Sequence, residues 1–151
     1  MEKKYKLTEE TKKWCGHTLH RIEALQNFDI VNAGDKGGWI ENEENLTHEG
    51  NAWVCGNAKV YGNAEVYGDA WVCGDAKVCG DADYIMFKNW WSSGRYFTWT
   101  RSNNMWTVGC FHGTGEELIK KAHADSEKSG REYERIVKYV ERLADKEKNK
   151  E

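Results

Sequence analysis

The chain contains no proline, and no apolar run in it is long enough to span a bilayer as a helix. A large excess of charge of either sign is also absent. The net formal charge is −3, so there is neither the basic stripe that announces nucleic-acid binding nor the acidity of a DNA mimic, and direct DNA binding is not expected. The start, MEKKYKLTEE, lacks the apolar core of a signal peptide. A cytoplasmic location without membrane association is the expectation, and with it reduced thiols for the five cysteines. No Cys-x-x-Cys pair occurs. No histidine falls between Gly50 and Tyr84.

What is present is a repeat. Gly50–Glu65 reads GNAWVCGNAKVYGNAE and Gly68–Asp83 reads GDAWVCGDAKVCGDAD. Within it Val54, Val60, Val66, Val72 and Val78 recur every six residues, each two before a glycine and four before an alanine. A six-residue unit nested in an eighteen-residue one describes a three-sided coil, each side a short strand and each corner a Gly-Asn or Gly-Asp turn. Alternation along a strand turns each valine inward, with alanine as the small second inward residue. Residues eighteen apart then stack at about one strand spacing, roughly 4.8 Å. That places Trp53 under Trp71, Cys55 under Cys73 and Val60 under Val78. The corner pairs Asn51/Asp69, Asn57/Asp75 and Asn63/Asp81 set an amide beside a carboxylate and avoid stacked like charges. Lys59/Lys77 and Glu65/Asp83 stack like charges and are expected to face water. Upstream, Ile40 and Leu46 keep the step, and two extra residues bulge in Thr47–Gly50.

The flanks are read as a cap over residues 1–39, the repeat over 40–84, and an aromatic meander with helices over 85–151. Thr18–Leu25 reads as a strand of the cap. Asp83–Phe87, Arg95–Arg101 and Met105–Phe111 read as strands of the meander. Thr114-Gly115-Glu116-Glu117 is a capping box that starts a helix. A second helix follows from about Ser126, with Tyr133, Ile136, Val137, Val140 and Leu143 on its apolar face.

Three segments carry a family resemblance: Thr18-Leu19-His20-Arg21-Ile22-Glu23-Ala24-Leu25, then Ala33-Gly34-Asp35-Lys36-Gly37-Gly38-Trp39-Ile40-Glu41, and then Glu44-Asn45-Leu46 with the GNAWV and GDAWV coils. Together they resemble the hexapeptide-repeat proteins common in phages and prophages, over roughly residues 5–84. Gly109-Cys110-Phe111-His112-Gly113-Thr114 with its helices looks like a tail module of some of these proteins. The resemblance implies a short left-handed parallel β-helix, mainly β, and a home in the host cytoplasm. It brings no agreed catalytic activity. Small phage proteins without an enzymatic signature often act on host defence, so it implies a non-enzymatic inhibitor that binds a bacterial immune component such as a CRISPR effector.

The candidate chemistry is thin. A zinc carbonic anhydrase of hexapeptide type needs three converging histidines, which the repeat lacks. A hexapeptide acyltransferase needs a histidine base, and His48 in the bulged loop is the one nearby. Two stacked thiols fall short of a metal site, so neither metal nor cofactor is expected. The ladders Trp53/Trp71 and Cys55/Cys73 are candidate contacts in a homo-oligomer, with a trimer ahead of a dimer. Trp90, Trp91, Arg95, Tyr96, Arg101 and Trp106 mix aromatic planes with guanidinium groups. Such a mixture serves a small core, a protein-binding hot spot, or a pocket for a nucleotide immune signal sequestered between subunits.

Overall fold

A computed structural model describes residues 2–148 except 81, 82 and 110; side chains from 145 onward are outside it. The corner partner Asp81 and the Cys110 position of the tail motif therefore lie outside the described residues. The first two strands, β1 (Tyr5–Trp14) and β2 (His17–Ala24), form an antiparallel hairpin. Its turn places Cys15 and Gly16 at positive φ. β2 continues antiparallel onto β3 (Lys36–Ile40). The repeat then supplies four two-residue strands, β4 (Trp53–Val54), β5 (Lys59–Val60), β6 (Trp71–Val72) and β7 (Lys77–Val78).

The stacking expected at eighteen residues is present. Trp53 pairs with Trp71, Val54 with Val72, Lys59 with Lys77 and Val60 with Val78, all parallel. Where the Thr47–Gly50 bulge intervenes the step becomes twenty: Ile40 pairs with Val60, and Leu46 with Val66. The five valines and Ala52, Ala58, Ala64, Ala70 and Ala76 are buried in one core.

The expected fold class, a short left-handed parallel β-helix, is corrected. The parallel strands β3, β5 and β7 join the antiparallel hairpin in a five-stranded mixed sheet of order β1-β2-β3-β5-β7, while β4 and β6 form a two-stranded parallel sheet. Two-residue strands make too few ladder bonds to stand alone, so the coil takes its neighbours from a long hairpin instead of from further coils. Among the described residues the molecule is mainly β, with mixed, parallel and antiparallel sheets and two α-helices.

The C-terminal part is a four-stranded antiparallel sheet, β11-β10-β9-β8, from β8 (Tyr84–Lys88), β9 (Tyr96–Thr100), β10 (Met105–Val108) and β11 (Phe111–Gly113). The strand expected over Met105–Phe111 is thus a hairpin of two. Helices α1 (Gly115–Asp125) and α2 (Glu127–Lys148) pack against it. The capping box is realised: the Thr114 hydroxyl accepts from Glu117 N, and the Glu117 carboxylate accepts from Thr114 N. Tyr133, Val137 and Val140 of α2 close a second core over Phe97, Trp99 and Trp106. None of the helices among the described residues is long and apolar enough to cross a membrane.

Two further expectations change. Cys55 and Cys73 are joined in a disulfide, with Cα atoms 4.6 Å apart; the eighteen-residue step alone brings the thiols within bridging distance. Lys59 does not face water. It is 9% exposed because Trp14, arriving from the hairpin, lies over both Lys59 and Lys77, with the ammonium groups 4.7 and 5.4 Å from the ring centre.

Candidate functional site

Polar seams fix the meander to the coil. The Thr98 hydroxyl donates to Trp71 O. Lys77 N donates to Ser102 Oγ at 2.7 Å, and Asn103 Nδ2 to Asp75 Oδ1 at 3.0 Å. The Asn103 bond is the main cause holding the Asp75 carboxyl below its usual range. The His112 ring rests on the Gly74 corner, where any Cβ would collide with it and where φ is +72°. Its Nδ1 is 3.1 Å from the Thr107 hydroxyl.

Beside these seams lies a half-open cleft of about 290 Å³. Its coil side is Asn51, Asp69 and Trp71, joined by Asp29 from the loop before β3. Its meander side is Arg95, Tyr96, Thr98 and Thr107, with Gly109. Trp71 is oriented by its indole N–H, which donates to Asn51 O at 2.8 Å. Asn51 N donates to Asp69 Oδ1 at 3.2 Å. The Arg95 guanidinium lies over Gly109, where a Cβ would sit 2.5 Å from Nη1. Carboxylates on one wall, a guanidinium on the other and ring faces between them suit a flat ligand carrying both donors and an anionic group.

The six meander residues singled out by sequence are dispersed. Arg95 and Tyr96 line the cleft. Trp90 is 67% exposed, on the same turn as Arg95, with the Lys128 ammonium 5.9 Å from its ring. Trp91 is half-buried; its Nε1 donates to Ser129 Oγ at 3.0 Å, and its ring meets Tyr133 edge-on at 5.0 Å. Arg101 packs over Trp99 at 5.6 Å. Trp106 is 1% exposed and belongs to the core. Of the ladder residues, Trp53 is covered by the chain's own Tyr5 and Phe28, and Cys73 is buried. Trp71 and Cys55 are half-buried. Asp29, Asn51 and Asp69 carry no sequence signal as cleft residues, since the repeat explains the latter two as corners.

His48, the candidate base, has both ring nitrogens engaged. Nδ1 accepts from Lys4 N at 3.1 Å, which puts the proton of the neutral ring on Nε2, 3.1 Å from Glu43 Oε1. The ring stacks on Tyr5 at 4.1 Å. No lone pair is left to take a proton from a substrate. No group of three metal-ligating side chains occurs among the described residues.

No family profile matches the chain. An alignment 60 positions long, which covers 34% of the chain, is 37% identical to the uncharacterized acetyltransferase YdcK of Escherichia coli (strain K12). The match covers 18% of that protein, so the chain spans under a fifth of the length of the curated relative it matches. This likeness is compatible with a hexapeptide-repeat protein.

Proposed function

We propose that the chain is a non-enzymatic binding protein, in which the coil is scaffold and the turn Trp90–Tyr96 with its cleft is the recognition surface. The observation that carries this reading is Trp90: a large ring held out in solvent, braced at 5.8 Å by Trp91, which is itself tethered to α2. Rigid aromatic anchors next to an arginine are the composition of binding hot spots. With the phage-type resemblance of the N-terminal part, the proposed role is anti-defence: the surface occupies a bacterial immune protein. The test compares plaque formation on an immune-competent host expressing wild type or Trp90→Ala with Arg95→Ala. Loss of an anchor of this kind costs about 2 kcal/mol or more, so protection should fall by tens of fold at matched expression. Undiminished protection by the double variant rejects the surface.

A second reading, acetyl transfer, is favoured by the likeness to the acetyltransferase. The engagement of both His48 nitrogens weighs against it. Incubation with acetyl-coenzyme A and amine or alcohol acceptors, with release of free thiol as the readout, separates the two; turnover lost in His48→Asn would replace the binding reading with the enzymatic one.

A further inference from the structure

The five-stranded mixed sheet carries a row of cations that the proposed recognition surface does not use. Arg21 of β2 sits opposite Trp39 of β3, Trp39 opposite Lys59 of β5, and Lys59 opposite Lys77 of β7. Directly opposite residues share a face of the sheet, so Arg21, Trp39, Lys59 and Lys77 form one line across four strands. The hairpin folds over that line: the Lys12 ammonium is 4.2 Å from the Trp39 ring centre and the Arg21 guanidinium 5.2 Å, while Trp14 covers Lys59 and Lys77.

Like charges directly opposite one another destabilise a sheet, and burial makes this worse. Yet no carboxylate among the described residues is in salt-bridge contact with Lys12, Lys59 or Lys77. The Lys59 ammonium has one long hydrogen bond, 3.3 Å to Asn57 O. Glu10 reaches only Arg21, at 3.5 Å. Asp75, which acts on Lys59 and Lys77 from a distance, is already bonded to Asn103. Burial, then Lys12 and Lys77, push the Lys59 ammonium toward its neutral form. The indole N–H of Trp39 is buried without an acceptor. The charged groups here are donors only, so their complement is a group that only accepts.

We propose that Lys12, Lys59 and Lys77, framed by Trp14 and Trp39, form a binding site for a multiply charged phosphate-type anion, an oligophosphate chain. The site lies on a different sheet from the cleft and is independent of the reading under Proposed function. The indoles are already engaged by the cations, so recognition rests on the phosphate chain and not on a stacked base.

Sodium phosphate, pyrophosphate and tripolyphosphate are titrated into the full chain at an ionic strength held constant with chloride. Calorimetry and the melting temperature are the readouts. Affinity is expected to rise with charge along that series, and Lys77→Met, at a half-buried position that tolerates it, is expected to weaken tripolyphosphate binding by about tenfold or more, as loss of one charge-assisted contact does. Lys59→Met should do the same if it folds. Lys120→Met with Lys121→Met, on α1, removes more charge elsewhere and should change nothing. Competition by adenosine triphosphate at the strength of tripolyphosphate supports recognition of the chain alone. The proposal is overturned if wild type gives neither heat nor a melting shift, if the α1 control loses as much as Lys77→Met, or if adenosine competes as well as its triphosphate.

Discussion

The N-terminal core is built around small side chains that repeat, alanine and valine at fixed steps, with Val54 paired to Val72 and Val60 to Val78, and is completed by larger residues such as Tyr5, Leu46 and Trp53. The C-terminal core is made of large ones that do not repeat: Phe97 meets Trp106 at 6.1 Å and Tyr133 at 5.0 Å between ring centres, at different angles, and Trp99 is buried in the same cluster. Each repeated residue of the first core has a geometric reason, and removing one methyl group from it affects one rung. In the second a few rings hold a thin sheet to two helices, so each carries far more of the packing. The contrast teaches that an abundance of aromatic residues marks function only after those needed for the core are subtracted. Trp99 and Trp106 are needed there; Trp90 is not.

Substitutions should expose this asymmetry. The largest effect is expected from Trp106→Ala, which empties the centre of the ring core. A cost of about 3–5 kcal/mol is typical for such a change, and thermal unfolding followed by near-ultraviolet circular dichroism should show early loss of the C-terminal part. If its melting point stays within a few degrees of wild type, the ring core is not the weaker partner. Next comes the disulfide. Cys55 and Cys73 close an eighteen-residue loop, worth about 3 kcal/mol in chain entropy. Cys73→Ser, or reduction, should lower the urea midpoint accordingly while the far-ultraviolet spectrum persists, because Val54–Val72 and Val60–Val78 still hold the rungs.

The smallest effect is a pH dependence confined to the N-terminal core. Lys4 is buried, with its ammonium donating to Ala52 O, and burial lowers its pKa to about 8 from 10.5. Between those values the unfolded chain binds more protons than the folded one, so stability should rise with pH from about 8 toward 10.5 and lie flat below 8. Lys4→Met should remove that slope and leave the Trp106 region untouched. Urea midpoints at pH 7, 8 and 9 check it; a midpoint that falls over this interval, or an unchanged slope in Lys4→Met, contradicts the assignment.

Much of the rung pairing was legible because it is local arithmetic: a six-in-eighteen period needs no knowledge of the rest of the chain. The Thr114–Glu117 cap and the apolar face of α2 were legible for the same reason. What was not legible depends on segments far apart. Tyr5–Trp14 is too polar to advertise a strand, and without it neither the mixed sheet nor the burial of Lys59 follows. The disulfide runs against the expectation of reduced thiols drawn from composition. The cleft joins Asp29, Asp69 and Arg95 from three elements, and only Arg95 had a signal, its aromatic neighbours. Trp71 was noticed as a ladder residue, but its place in a cleft wall follows from Thr98 and the docking of the meander.

Those docking bonds have a further meaning. Parallel rungs are a polymer whose growing face offers a carbonyl and an amide for the next unit, wherever that unit comes from. At the last rung the Trp71 carbonyl is taken by the Thr98 hydroxyl, and the Lys77 amide is taken by Ser102. Two hydroxyl groups thus act as chain terminators: they satisfy the hydrogen bonds of another rung without offering a strand that a further rung could extend.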